Sequence, residues 1–287
     1  MKWVLLSHTQ QRMLLFTNAK INLGLSIVER RPDNFHNINS IFYPIPLKEA
    51  VEAVVDPTLG SGKIQFICSG LDIPGDFESN LCVKAYQMLH ECYQLPGVKA
   101  HLHKLIPMGA GLGGGSSDAA FFIHILDEIC KLGLSLETKL EFAARLGSDC
   151  SFFIQNKPAF CYGRGELFEP VSLNLAAYTL VLVYPPIHIG TKEAYAGVKP
   201  QKAMFDLKTL ANLPMNEWKE VVKNDFETSI FPMYPLLEEL KAELYKLGAS
   251  YASMSGSGSS VFGLFKERIP LQGLKKYGQV WSLPLEG

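Results

Sequence analysis

The sequence predicts an α+β fold of two domains, and two patterns carry that prediction. Short runs of alternating apolar and polar residues read as half-buried strands, and longer stretches with apolar residues at helical spacing read as helices. They do not follow one another in strict β-α-β order, which disfavours a doubly wound parallel sheet. A length of 287 residues suffices for one large or two modest domains.

Ile21, Leu23, Leu25 and Ile27 alternate with Asn22, Gly24 and Ser26, so residues 21–27 predict a strand. Lys20 and Asn22 then project together from its polar face. Pro32, Asp33 and Asn34 mark a turn. Residues 38–55 predict further strands, interrupted at Pro44 and Pro46, with a turn at 56–62. Leu81, Ala85, Leu89 and Cys92 give residues 80–93 a helical spacing, and 102–106 predict a strand that Pro107 ends. A helix over 116–132 follows, with Ser116 as N-cap and Gly133 as its stop. Another runs from its N-cap Ser135 to Leu146, with Gly147 behind it and Asp149 just beyond. YTLVLVY at 178–184 reads as a strand, 200–220 hold scattered helical signal, and a helix spans 236–247 before Gly248. SYASMSGSGSSVFGLF then reads as strand, glycine-serine turn and strand. The boundary is placed near residue 170, giving domains 1–170 and 171–287.

Hydrophobic residues make up 47% and charged ones 19%, an ordinary balance for a globular enzyme. The formal net charge of −1 argues against a nucleic-acid partner, which usually meets a basic face. No apolar run approaches the ~20 residues needed to span a bilayer, so no membrane partner is expected. Six cysteines without a C-x-x-C pair read as reduced thiols of a cytoplasmic protein. The first twelve residues have no signal-peptide character and read as an extension ahead of Met13. A monomer or homodimer is expected.

The strongest signal is PMGAGLGGGSSDAA, beginning at Pro107. Gly109, Gly111, Gly113, Gly114 and Gly115 are five glycines in seven residues, more than a structural turn needs. The loop opens a helix, whose free N–H groups and dipole favour an anion. Ser116 and Ser117 add hydroxyls as donors or a metal ligand. This describes a phosphate cradle formed by Pro107, Met108, Gly109, Ala110, Gly111, Leu112, Gly113, Gly114, Gly115, Ser116 and Ser117. It is not a P-loop, because Gly115 rather than lysine precedes Ser116. Gly109, Gly111 and Gly114 match G-x-G-x-x-G, but the preceding HLHKLI alternates in polarity and the acidic residues ~20 positions on lie within a helix, unlike a dinucleotide site. The H-R-D and D-F-G motifs of protein kinases are absent. His101 and His103 share a strand face without a third ligand nearby, so they read as surface histidines.

The loop resembles the P-x-x-x-G-L-G-S/G-S-S-A/D motif of the GHMP kinases, in the form found among the diphosphocytidyl-methylerythritol kinases. The resemblance covers nearly the whole chain from about Asn18. AKINLGLSIVERRPDNFHNI resembles A-K-I-N-L followed by R-x-D-G-Y-H, with Asn34 and Phe35 replacing Gly and Tyr. LGSDCSFFI, GRGE, NDFE at Asn224–Glu227 and ASMSGSGSSVFG also match in order.

The resemblance implies a fold with an S5-domain-2-like N-terminal domain, a ferredoxin-like C-terminal domain and an active site in the cleft. It implies transfer of the γ-phosphoryl of ATP, with Mg²⁺, to the 2-hydroxyl of a CDP-linked methylerythritol, a small-molecule substrate on the isoprenoid route that bypasses mevalonate. It assigns Asp149 as catalytic base and Lys20 as its cationic neighbour, against the plainer readings of a helix N-cap and a strand-end charge. Asn22, Phe35, His36, Thr191 and Tyr195 are the substrate residues it implies, with the cytosine between Phe35 and Tyr195. Ser117 is the candidate metal ligand, and Gly256–Gly258 is expected beside the phosphates. Other GHMP kinases, a catalytically silent protein on this fold and a nicotinamide oxidoreductase are the alternatives. Phe35 with His36 discriminates against the first, and retention of Lys20, Asp149 and the whole loop against the second.

Overall fold

The computed structural model describes residues 11–286. The expected extension over the first ten residues lies outside the described residues, whereas Arg12 already belongs to a strand. In chain order come β1 (Arg12–Arg30), β2 (His36–Val55), β3 (Ile64–Gly70), α1 (Leu81–Tyr93), β4 (Val98–Lys104), α2 (Gly114–Cys130), α3 (Leu136–Leu146), α4 (Cys150–Gln155), β5 (Ala159–Tyr162) and β6 (Leu167–Pro170). They are followed by β7 (Thr179–Tyr184), α5 (Thr191–Ala196), α6 (Trp218–Val221), α7 (Glu227–Met233), α8 (Pro235–Lys246), β8 (Tyr251–Met254), β9 (Val261–Phe265) and β10 (Gln279–Pro284).

Strands up to Pro170 form a six-stranded sheet in the order β3-β4-β2-β5-β6, with β1 on the other side of β2. Only the β3–β4 pair is parallel. From Thr179 onward the strands form a second, antiparallel sheet, β10-β7-β9-β8. The class is α+β, as the pattern predicted.

The two prolines do not interrupt β2. The register jumps from Asn18↔Lys48 to Ala19↔Ile45, so Pro46 and Leu47 are extra residues in a bulge. On its other edge β2 pairs only through residues 40–42 and 50–55. Pro44 and Pro46 fall in the gap, where a missing N–H breaks no ladder.

Helices α1 to α4 cover one face of the first sheet, burying Phe122, Ile123 and Leu126 against Val51, Ala53 and Leu102. The apolar face of β1 serves a different core. Ile21 and Leu23 pack with Leu182 and Phe262, and Leu25 and Ile27 with Val183 and Met254, all from the second sheet. Each such side chain contributes roughly 1.5–3 kcal/mol on burial. That packing fixes the rotation of β1 and aims its even-numbered residues, Lys20 and Asn22, into the space between the sheets and the glycine loop.

Candidate active site

A cavity of about 1000 Å³ opens where β1, the glycine loop, the Asp149 turn and the second sheet meet. Every residue from Pro107 to Ser116 lines it, as do Lys20, Asn22, Asp149, Phe35, His36, Thr191 and Tyr195. Residues far apart in sequence are thus brought to one site.

The loop is shaped by glycines in the left-handed region. Gly111 has φ 74°, and a Cβ there would lie 1.9 Å from the carbonyl oxygen of Ser255. Gly113 has φ 71° and is the N-cap of α2, which begins at Gly114. The cap is therefore not Ser116, which falls within the first turn. The helix also ends sooner, at Cys130, with Lys131 rather than Gly133 in the left-handed cap position. Starting α2 at Gly114 decides where the serines point. Ser116 faces the cavity. Ser117, one position on and so about 100° further round, is fully buried and its Oγ accepts from the Asn18 N–H at 3.3 Å. Ser117 does not line the cavity, and its expected roles as phosphate and metal ligand are corrected accordingly.

Lys20 and Asp149 meet: Nζ lies 3.4 Å from Oδ2, with the lysine side chain 4% and the aspartate 29% exposed. The ammonium also donates to Asn22 Oδ1 at 2.6 Å and to the Gly111 carbonyl at 3.3 Å, and sits 4.5 Å over the Phe42 ring. Asn22 is held by donating to Ser40 Oγ, which donates to the Gly24 carbonyl. Asp149 precedes α4 with φ −79° and makes no cap hydrogen bond with its side chain. Its carboxylate is turned to the cavity instead of capping the helix.

At the other end of the cavity the aromatics are arranged differently from a Phe35–Tyr195 sandwich. His36 stacks on Tyr195, with centroids 4.6 Å apart and planes 16° apart, while Phe226 meets Tyr195 edge-on. Phe35 is 54% exposed and carries the Arg164 guanidinium 5.1 Å over its ring. Burial, then the charge of Arg30, holds the His36 imidazole below its ordinary pKa. Burial, with Asp149 adding to it, pushes the Tyr195 hydroxyl up to about 12.

Sequence reasoning missed the cations Arg30, Arg164 and Lys192, which also line the cavity. Arg30 and Arg164 lay inside segments read only as a turn and as a matching motif, with no signal of direction. Gly256 and Ser257 do reach the site. Ser255 Oγ donates to the Gly111 carbonyl at 2.9 Å, and Asn224 Nδ2 donates to the Met254 and Gly256 carbonyls at 2.8 and 2.9 Å. The matching NDFE segment thus holds the second glycine turn, and Ser255 joins that turn to the first loop. His101 and His103 sit on one strand face with Ser69 Oγ between them, at 2.8 and 2.9 Å. Among the described residues no helix is long and apolar enough to cross a membrane.

The chain matches the model for "GHMP kinases N terminal domain" over residues 80–164 and that for "GHMP kinases C terminal" over 205–276. It is 52% identical to a 4-diphosphocytidyl-2-C-methyl-D-erythritol kinase of Bacteroides fragilis, over 88% of this chain and 92% of the relative. A crystal structure of 4-(cytidine 5'-diphospho)-2C-methyl-D-erythritol kinase superimposes with a TM-score of 0.80 at 30% identity, covering 96% of this chain and 100% of that one. The homoserine kinase of Cytophaga hutchinsonii shares the fold, with a TM-score of 0.74 at 16% identity over 98% and 96% of the two chains. A glycine loop at the start of α2, a paired Lys20 and Asp149 facing it, and these likenesses together place the chain in the GHMP kinase family.

Proposed function

We propose that the protein transfers the γ-phosphoryl of ATP to the 2-hydroxyl of 4-diphosphocytidyl-2-C-methyl-D-erythritol. The observation that carries this reading is the Lys20–Asp149 pair at the glycine loop, inside a cavity of about 1000 Å³.

The backbone N–H groups at the start of α2 receive the phosphates, where the helix dipole favours negative charge. Asp149 accepts the proton of the substrate hydroxyl. The hydroxyl oxygen bonds to the γ-phosphorus as the bond to the β-bridging oxygen breaks, and ADP leaves. Lys20, 3.4 Å from Asp149, lies where charge develops on the transferring group. Asn22 and the Gly111 carbonyl hold the ammonium in place.

The site's donor set fits Mg²⁺, which usually keeps several waters and takes only one or two protein oxygens beside the phosphates. Ser116, which lines the cavity, is the group that would hold it. Bound there, the ion would supply positive charge against the phosphates.

At the far end Phe35 offers an exposed ring for the cytosine, and His36, propped on Tyr195, presents its ring edge. Arg30, Arg164 and Lys192 supply positive charge for the diphosphate. Thr191 lines the same end. The deciding experiment measures ADP release against CDP-methylerythritol, mevalonate, homoserine and galactose. Turnover with the CDP-linked alcohol alone is expected, and preference for any of the others overturns the assignment.

A further inference from the structure

Behind the glycine loop lies a cluster of one lysine and two carboxylates, none of which lines the cavity. Lys104 Nζ stands 2.5 Å from Glu49 Oε1 and 2.7 Å from Asp118 Oδ2, with side-chain exposures of 0%, 0% and 3%. We propose that Glu49, Lys104 and Asp118 are positioning residues for the nucleotide: they fix the entry and the exit of the glycine loop to one buried point and so set the affinity for the phosphates. The proposal rests on the reading of that loop as the ATP cradle.

Each contact addresses one end of the loop. Glu49 Oε2 accepts the backbone N–H groups of Leu105 and Ile106, both at 2.8 Å, just before Pro107. Asp118 stands in the first turns of α2, just after the loop, and also accepts from Thr17 Oγ1 at 2.9 Å. A Cβ on Gly114 would lie 3.1 Å from Lys104 Nζ and 2.9 Å from Ile106 Cγ2, so the lysine head lies directly beneath the first turn of α2. Residues 107–113 therefore span two ends that share one ammonium.

Burying a lysine and two carboxylates is an inefficient way to gain stability. Each is costly to desolvate, and apolar residues of similar volume often serve as well or better. What charges supply and apolar side chains do not is direction, because the two carboxylates fix the lysine and the loop's backbone donors at set angles. The placement fits that use, since the anchored ends are those of the phosphate loop.

The test is equilibrium titration of Glu49→Gln and Asp118→Asn with a fluorescent ATP analogue and, separately, with CDP-methylerythritol. Loss of one charge-assisted contact is expected to weaken the ATP analogue by about tenfold or more, with the second ligand within about twofold of the parent. Equal weakening of both ligands, or unchanged affinity for both in a folded variant, overturns the proposal. If the charge variants fail to fold, Thr17→Val and Thr17→Ser decide. Valine is expected to weaken the ATP analogue several-fold and serine to restore it. Identical behaviour of the two also overturns the proposal. Gly113→Val separates the two levels of the argument. ATP binding retained in Gly113→Val sinks the cradle reading itself, whereas binding lost there but retained in Glu49→Gln and Asp118→Asn sinks only the role of the cluster.

Discussion

Lys20 and Asp149 form an ion pair 3.4 Å apart, but the lysine does not depend on it alone. Asn22, the Gly111 carbonyl and the Phe42 ring also hold the ammonium. Asp149→Asn is therefore expected to leave the fold and both binding steps intact while kcat falls by about 10²–10⁴-fold, the usual worth of a positioned base. Lys20→Met is expected to lower kcat too. If the pair acts as one unit, the double variant is little worse than the poorer single one. Steady-state kinetics on the four proteins checks this, and multiplicative losses would show two independent roles.

The glycine loop gives a graded prediction. Gly113→Val places a branched side chain at φ 71° with Phe153 and Lys20 Cε within about 3 Å, and is expected to abolish ATP binding. Gly111→Ala forces the loop off the Ser255 carbonyl and is expected to weaken ATP without unfolding the chain. Calorimetric titration together with thermal melting reads both, and wild-type affinity in a folded Gly111→Ala would deny the contact any bearing on the nucleotide.

Phe35→Ala and Tyr195→Ala are expected to weaken the CDP-linked substrate while sparing ATP. One base stacked on an aromatic is worth ~1–3 kcal/mol, or roughly ten- to hundredfold in Kd. The effects should differ in kind. Phe35 is exposed and is expected to act directly, whereas Tyr195 stacks under His36, so His36→Ala is expected to absorb most of the Tyr195→Ala loss. A double-variant cycle in which the losses of His36→Ala and Tyr195→Ala simply multiply would separate the two rings.

His36 is held below its ordinary pKa by burial and by Arg30. Its NMR titration midpoint is expected below the unperturbed value of about 6.5. Arg30→Gln removes a positive charge that disfavours the imidazolium, so the midpoint should rise. A midpoint at or above 6.5 in the parent protein, or a fall in the variant, contradicts this arrangement.

Much of the site was legible because backbone motifs carry it. The glycine run announces a phosphate loop, the alternation around Ile21 fixes which face Lys20 takes, and the family pattern singles out Asp149. What stayed hidden depends on where an element starts or on partners far away. Ser116 and Ser117 are equivalent on paper, and only a helix beginning at Gly114 turns one to the cavity and the other to Asn18. Pro46 reads as a strand breaker until the unpaired stretch of β2 is seen. Glu49, Lys104 and Asp118 each look like surface charges, since nothing in a sequence shows that three elements converge. The His36–Tyr195 stack likewise needs β2 and α5 side by side.

The first glycine loop is closed by groups that the ribosome adds some 145 residues later. Ser255 Oγ and the Ser260 N–H bond to the Gly111 and Ala110 carbonyls, and Asn224 holds the turn that bears the serines. A nascent chain that has emerged only through α4 carries Lys20, the glycine run and Asp149, yet lacks the lid that gives the loop its shape. The shape of the first loop is therefore completed by residues translated well after the loop itself.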